Sequence, residues 1–183
     1  MRRSPELEAG LDAFVAELVR WGARMNLVGS TDRTALQRHF ADSLAAAQQL
    51  PRAARVVDLG SGAGFPGIPI ALARPDLRMV LVEVREKRVA FLRHAIRELR
   101  LTVEVRPVSI GSPPPEPFDF ALLRAVAKPD RSAELGRPWV GPAGEVWIWA
   151  GAEIELPRAT AIPLDSGGKI LRVRAAEVSR GTS

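Results

Sequence analysis

The chain has 183 residues, of which 46% are hydrophobic and 26% are charged, and its formal net charge is +5. This balance is typical of one folded globular domain and excludes a disordered chain. The sequence contains no cysteine, which excludes disulfide bonds, thiolate metal sites and cysteine nucleophiles. No apolar run is long enough to span a membrane, and no signal-peptide core is found near Met1. We therefore expect a cytoplasmic protein without a membrane or metal partner. We also expect a monomer, although composition alone does not determine the oligomeric state.

The N-terminal quarter of the chain has helical periodicity. Apolar residues recur every three to four positions over about residues 6–23, which predicts an amphipathic helix. Thr31 or Asp32 is suited to cap a second helix, which Pro51 ends. We expect these helices, within residues 1–51, to form a cap over the sheet that follows.

Residues 52–183 alternate between short apolar runs and helical stretches. Strands are expected near residues 55–59, 78–83, 103–106, 118–123, 145–149 and 169–173. Gly141–Gly144 predicts a turn before the fifth strand, on which Trp147 and Trp149 share one face and are expected in the core. Alternating units of this length predict an α/β fold with a doubly wound, mostly parallel, Rossmann-like sheet. The whole chain, 1–183, is expected to form a single domain.

A glycine-rich turn follows the first strand directly, with the sequence DLGSGAGFPG at residues 58–67. Gly60, Gly62 and Gly64 leave out side chains where the backbone turns sharply and a ligand approaches the main chain. Pro66 is suited to the first turn of the next helix. A nucleotide-like ligand lying across this turn is expected to meet free N–H groups and the positive end of the helix dipole.

The register of these glycines separates two classes of ligand. Residues 62–67 match the dinucleotide pattern G-x-G-x-x-G, which would indicate a nicotinamide enzyme. In that fingerprint the first glycine follows the strand closely, and here the strand ends near Leu59, so the register starts at Gly60. With Asp58 before it, this form resembles the first motif of S-adenosylmethionine-dependent methyltransferases. The remaining alternative is a turn that binds no ligand.

A second acidic residue, Glu83, ends the second apolar run. In doubly wound folds, an acidic residue about 20 positions after the first glycine binds the ribose hydroxyls at the end of the second strand. The alternative is a carboxylate at the N-terminus of the next helix, beside Glu86. Both roles place Glu83 at the same edge of the sheet, and the ribose interpretation is favoured.

Five further stretches have the order and spacing of one family. They are WGARMNL (21–27), RHFADSL (38–44), FPGIP (65–69), KRVAFL (87–92) and RAVA (124–127). As a set they resemble the glucose-inhibited division protein B family, whose members are guanine-N7 methyltransferases of small-subunit (16S) ribosomal RNA. The resemblance covers about residues 20–150.

The resemblance implies S-adenosylmethionine as the cofactor. It places Gly60 and Phe65 beside the methionine and ribose of the cofactor, and Glu83 at the ribose hydroxyls. Ile110 and Gly111, after the third strand, would frame the adenine through backbone contacts. The implied cofactor-binding residues are Asp58, Gly60, Gly62, Gly64, Phe65, Glu83, Ile110, Gly111 and Arg124.

Arg124 follows the fourth strand, at the topological switch point where ligands of such sheets bind. We expect it to be the catalytic residue in a positioning role, pairing with O6 of guanine or with an RNA phosphate. Guanine N7 carries an in-plane lone pair and no proton, so its methylation needs no general base and depends on orientation. The alternative for Arg124 is a salt bridge to Asp58 or Glu83 that only shapes the cleft.

Basic residues are the candidates for RNA contact, and nearly all of them are arginine, which suits phosphate and bases. The candidate RNA-binding residues are His39, Lys87, Arg88 and Lys128. Asp42 and Ser43 share a helix face with His39, and we interpret them as fixing the histidine rather than as a catalytic triad. His94 is expected to be a solvated helix residue.

The sequence departs from the family pattern at two places near the expected cleft. The loop at 109–112 lacks the acidic residue that the family usually has there, and Ala150 stands where a lysine usually follows the fifth strand. Two alternatives stay open besides ribosomal RNA methylation, and the departures support only the first of them. One is a catalytically reduced RNA-binding relative, and the other is a methyltransferase that acts on a small molecule.

Overall fold

The computed structural model describes residues 4–22 and 33–178. The α-helices in these ranges are α1 (Pro5–Gly22), α2 (Arg33–Gln49), α3 (Gly67–Ala73), α4 (Glu86–Glu98) and α5 (Pro129–Gly136). The strands are β1 (Arg55–Leu59), β2 (Arg78–Val82), β3 (Val103–Arg106), β4 (Phe118–Leu123), β5 (Val140–Gly151), β6 (Thr160–Pro163) and β7 (Gly168–Arg174). The predicted helix caps Thr31 and Asp32, and most of the WGARMNL stretch, lie outside the described residues. No helix in the described ranges is both long and apolar enough to cross a membrane.

The strands form one sheet in the order β3-β2-β1-β4-β5-β7-β6. The pairs from β3 to β5 are parallel, and β7 pairs antiparallel with both β5 and β6. This order confirms the predicted doubly wound, mostly parallel α/β sheet. The strand order reverses between β1 and β4, so a crevice is expected beyond the carboxyl ends of these two strands.

Helices cover both faces of the sheet. One hydrophobic core contains residues of the four helices α1, α2, α3 and α4 and of the sheet, among them Phe14, Leu36 and Phe91. The other core includes Ala133 of α5 and Trp139. Because α1 and α2 share the first core, the expected N-terminal helical cap lies on that face. Its boundary at residue 51 stays a prediction.

The start of β5 differs from the sequence prediction. Phe118 of β4 pairs with Val140, whereas Phe120 pairs with Glu145, so Gly141–Gly144 bulge out within the strand instead of forming a turn before it. A Cβ atom on Gly144 would lie 2.9 Å from the carbonyl oxygen of Asp119. The bulge therefore needs glycine where the two strands come close, and the turn prediction was wrong because bulges and turns use the same residues.

His94 of α4 is partly buried against α1. Its Nε2 lies 2.8 Å from a carboxylate oxygen of Glu17, and its ring centroid lies 5.2 Å from that of Trp21. The expectation that His94 is solvated was wrong, because the contact depends on how two helices pack and not on the periodicity of either one.

Candidate active site

The glycine-rich turn after β1 has the backbone conformation that its sequence predicts. Gly60, Gly62 and Gly64 have φ values of +74°, +55° and +90°, a region that other residues rarely adopt. A Cβ atom on Gly64 would lie 2.6 Å from Ile68, whereas one on Gly62 would meet no atom closer than 3.6 Å. The turn is therefore tightly packed at Gly64 and less crowded at Gly62, where the nearest atom is Nη1 of Arg88.

The N–H groups of this turn are not free, which corrects the expectation from the sequence. Gly60 and Ser61 donate to the carbonyl oxygen of Val82 at 2.8 and 2.9 Å, and Gly62 donates to Oε2 of Glu83 at 3.1 Å. The turn thus folds back on the end of β2. Gly64 also donates, to the carbonyl oxygen of Ser61 at 2.7 Å. The shape of the turn is set by the protein, because four of its amide groups already have protein acceptors.

The buried side chain of Asp58 connects the end of β1 to the start of α3. Its side chain is 1% exposed, and its Oδ2 accepts the N–H of Gly67 at 3.1 Å, where α3 begins. A Cβ atom on Gly67 would lie 2.3 Å from Leu81, so the helix approaches the sheet closely at this glycine. Burial raises the pKa of Asp58 to about 7, and the bond from Gly67 opposes that rise.

Glu83 ties the turn to the start of α4. Its side chain is 5% exposed, its Oε1 accepts the N–H of Arg85 at 2.9 Å, and its Oε2 lies 3.6 Å from Nη1 of Arg88. The alternative role at the N-terminus of the next helix is therefore present in the structure. The ribose contact stays a prediction, and Val84 beside it is 61% exposed at the same edge.

The loop after β3 lies against the glycine turn. The indole N–H of Trp139 donates to the carbonyl oxygen of Ile110 at 2.7 Å, and Gly111 donates its N–H to Oγ of Ser109 at 3.2 Å. Cδ1 of Ile110 lies 3.5 Å from the position of a Cβ atom on Gly60. The indole of Trp139 thus holds a loop that lacks an acidic residue. The sequence did not reveal this contact, because Trp139 is distant from the loop along the chain.

Arg124 contacts helix α2 of the helical cap and does not pair with the carboxylates of Asp58 and Glu83. Its Nη2 donates to Nδ1 of His39 and lies 3.4 Å from Oδ2 of Asp42, both on α2. The proposed alternative of a salt bridge to Asp58 or Glu83 was therefore wrong about the partners. Burial lowers the pKa of Arg124, while the charges of Asp42 and Asp58 raise it.

His39 links Arg124 to the glycine turn. Its ring centroid lies 5.3 Å from that of Phe65, which also packs on Phe14 and Phe40. Burial and the charge of Arg124 lower the pKa of His39, so its imidazole is neutral near pH 7 and its Nδ1 accepts. The sequence interpretation holds only in part, because Ser43 Oγ binds the main-chain oxygen of His39 while the imidazole is held by the arginine.

The remaining candidates for RNA contact follow β2 and β4 at the same edge of the sheet. Lys87 in the first turn of α4 and Lys128 at the cap of α5 are exposed, whereas Arg88 is half-buried beside Glu83. The structure thus brings His39 into the cleft and leaves the two lysines on its rim. Their contacts with RNA stay predictions.

A cavity of about 270 Å³ lies at the carboxyl ends of β4 and β5, and Asp42, Arg124 and Trp149 line it. In the described part of the chain, the buried side-chain polar atoms without a hydrogen-bond partner are Asp42 Oδ1, Arg124 Nη1 and Trp149 Nε1. All three belong to side chains of this one cavity. The sequence predicts a core position for Trp149, and its ring does pack against the core, but the unpaired N–H was not foreseen.

The cleft fits an adenosine-bearing cofactor. Gly62 leaves the turn open, Ile110 adds an apolar surface near Gly60, and Glu83 with Val84 ends the neighbouring strand. Buried apolar walls with a few convergent polar groups are what small-molecule sites share. Of the residues expected to hold the cofactor, the glycine turn, Glu83 and Ile110 therefore come together beyond the carboxyl ends of β1 and β2, while Arg124 lies across the switch point against α2.

Solved structures similar to this chain carry the same fold. A methyltransferase from Aquifex aeolicus, described as SAM dependent, superposes with a TM-score of 0.59 at 17% identity, over 77% of this chain and 92% of that one. A 16S rRNA N2 methyltransferase from Thermus thermophilus, in complex with AdoMet and guanosine, has a TM-score of 0.60 at 16% identity, over 80% of this chain and 44% of that one. The fold is that of S-adenosylmethionine-dependent methyltransferases.

Curated relatives share much more sequence. Proteins named ribosomal RNA small subunit methyltransferase G are 38% identical in Gluconobacter oxydans, over 93% of this chain and 94% of the relative, and 36% identical in Acidiphilium cryptum, over 89% and 82%. The model of the GidB family, described as rRNA small subunit methyltransferase G, matches residues 7–175. The chain belongs to the GidB family, which confirms the resemblance and extends it beyond the five stretches.

Proposed function

We propose that this protein transfers a methyl group from S-adenosylmethionine to N7 of a guanine in small-subunit (16S) ribosomal RNA. The observation that carries the proposal is the meeting of two sites at the switch point, the open glycine turn after β1 and Arg124 after β4. Family membership supports the substrate class. We also propose that the protein acts in the cytoplasm as a monomer.

The residues that would hold the cofactor differ in what they contribute. Gly62 would admit the cofactor against the main chain, because no side chain stands there. Glu83 has lone pairs left after accepting two N–H groups, and these suit ribose hydroxyls. Asp58 would act through the shape of the turn, since its carboxylate is buried beneath it. When bound, S-adenosylmethionine supplies a methyl group on a positively charged sulfur.

Arg124 would orient the guanine and needs no help from a general base. N7 has no proton to lose, so what the site must supply is alignment of the base. His39 is neutral and accepts from Arg124, which keeps the guanidinium in place instead of removing a proton from the substrate. Arg124 is fixed by two side chains of α2, and a fixed fork of donors suits O6 of guanine.

The alternative of a catalytically reduced relative rested on the altered adenine loop and on Ala150. The bond between the Trp139 indole and the Ile110 carbonyl supports an ordered loop despite the missing carboxylate. Ala150 lines the cavity beside Arg124, where a small side chain leaves room for a base. Both departures are therefore compatible with an active cleft.

The proposal is tested by nucleoside analysis of methylated RNA. Unmodified small-subunit ribosomal RNA, free and assembled into subunits, is incubated with the purified chain and methyl-labelled S-adenosylmethionine, then digested to nucleosides. We expect label in 7-methylguanosine, and none when Gly62→Val replaces the wild type. Label in another nucleoside, or none with either RNA, would contradict the proposal.

A further inference from the structure

The side chains of Asp42, Arg124 and Trp149, which line one cavity, each have a buried polar atom without a hydrogen-bond partner among the described residues. Within residues 4–22 and 33–178, the buried side-chain atoms without a partner are Oδ1, Nη1 and Nε1 of these three residues. Buried polar groups are nearly always hydrogen-bonded, because leaving them unpaired is costly. Three such atoms on side chains that line one cavity therefore indicate a ligand that pairs with them.

The types of atom restrict the ligand. A guanidinium and an indole only donate, while an ionised carboxylate only accepts. A phosphate would satisfy Arg124 and Trp149 but would bring its charge against Asp42, so it fits poorly. A planar group with a carbonyl acceptor next to an N–H donor satisfies all three atoms.

Two further observations, one on position and one on size, agree with a single base in this cavity. Leu59 at the end of β1 pairs with Leu123 at the end of β4, so the glycine turn and Arg124 follow neighbouring strand ends. The cavity volume of about 270 Å³ is slightly smaller than small-molecule sites generally are, since these start at about 300 Å³. A single base fits a cavity of this size better than a larger ligand.

We propose that this cavity is the specificity pocket for the target guanine, an inference that rests on the proposed function. O6 of the base accepts hydrogen bonds from Arg124 Nη1 and Trp149 Nε1, and its N1–H donates to Asp42 Oδ1. N7 takes no part in these bonds and stays free to react. Adenine is rejected, because it presents an amine in place of O6 and an acceptor in place of N1–H.

Two conservative substitutions test the pocket. Trp149→Phe removes the indole N–H and keeps an aromatic ring. Asp42→Asn keeps the shape of the side chain. Its amide oxygen accepts the hydrogen bond from Arg124, so its amide NH2 group, a donor, faces the base. Trp147→Phe is the matched control, since that indole lies on the same strand and donates to Glu145 outside the pocket.

Each variant is assayed on RNA that carries either guanine or 2-aminopurine at the methylated position. The analogue keeps N7 and lacks both O6 and N1–H. We expect Trp149→Phe and Asp42→Asn to lower kcat/KM on guanine RNA at least tenfold relative to the wild type. On 2-aminopurine RNA, we expect each variant to have a kcat/KM less than twofold below that of the wild type on the same RNA. Trp147→Phe should change both substrates by the same factor, and the Kd for S-adenosylhomocysteine should stay within twofold in all variants.

Equal losses on guanine and on 2-aminopurine RNA for the two pocket variants would overturn the pocket and leave the proposed function intact. A wild-type protein that forms no 7-methylguanosine would instead refute the proposed function. The two failures are therefore distinguishable, because only the second appears in the wild type.

Discussion

The two sides of the switch point differ in how their polar groups are satisfied. On the β1 side, Gly60 and Gly62 donate to the end of β2, and Asp58 accepts from the start of α3. On the β4 side, Arg124 and Asp42 bind each other but each retains a buried polar atom without a partner in the described residues. The first side thus forms its hydrogen bonds within the protein, whereas the second has buried side-chain atoms left for a ligand.

This difference matches the two ligands that the proposed reaction requires. A cofactor always has the same shape, so a turn fixed by internal bonds can receive it without rearrangement. The target guanine must be distinguished from other bases, and unpaired donors and acceptors do this because a wrong base leaves them unsatisfied. The following predictions test the two sides separately, from the largest effect to the smallest.

Gly67→Ala tests the close packing on the cofactor side. A Cβ atom there would lie 2.3 Å from Leu81 and 2.7 Å from a carboxylate oxygen of Asp58. We expect the free energy of unfolding in urea to fall by about 3 kcal/mol, the upper end for overpacking. Gly167→Ala is the control, because no atom of the described residues lies within 4 Å of a Cβ atom built on that glycine. Only its positive φ then lowers the free energy of unfolding, by about 1–2 kcal/mol. Equal losses would show that the contacts under the turn are unimportant.

Arg124→Lys tests the substrate side and keeps the positive charge. Lysine has no planar fork and cannot bind His39, Asp42 and a base at once. We expect the single-turnover methylation rate at saturating S-adenosylmethionine to fall about 100-fold, as for a misplaced reactant. Unfolding in urea is the control. A loss of stability without a loss of rate would make the arginine purely structural.

Asp58→Asn tests the buried carboxylate through pH. Its pKa is about 7 in the folded protein against an ordinary value of 3.8, so the folded chain holds a proton that the unfolded chain has released between these values. The stability of the wild type therefore falls as the pH rises from about 4 to about 7. The amide has no such proton, and we expect its stability relative to the wild type to rise over that range. Parallel curves from urea unfolding at each pH would contradict this.

Lys87→Ala tests the rim of the cleft and has the smallest expected effect. Lys87 is exposed in the first turn of α4, and one phosphate contact changes affinity modestly and depends on salt. We expect KM for RNA to rise about threefold and its salt dependence to weaken. Arg97→Ala, an exposed cation in the last turn of the same helix, is the control and should leave KM unchanged.

The sequence predicted the parts of the molecule that local patterns determine. The strands β1 to β4 lie within a residue of their expected positions, because buried apolar runs end at glycine, proline or charged residues. The positive φ values of Gly60, Gly62 and Gly64 were likewise readable, since only glycine tolerates them readily.

What the sequence could not predict depends on contacts between distant residues. The partners of Arg124 are on α2, and the donor that holds Ile110 is Trp139. Trp149 was expected in the core, which is true of its ring, but its unpaired N–H follows from what surrounds it. Periodicity gives the buried face of an element and says nothing of which polar atoms remain unpaired there.

Calorimetry separates the two sides of the switch point, since we infer that one side binds the cofactor and the other binds the base. S-adenosylmethionine is titrated into the wild type, Gly62→Val and Trp149→Phe. We expect binding to the wild type and to Trp149→Phe with Kd values within twofold, and no measurable binding to Gly62→Val. Unchanged affinity in Gly62→Val, or lost affinity in Trp149→Phe, would contradict this division of the cleft.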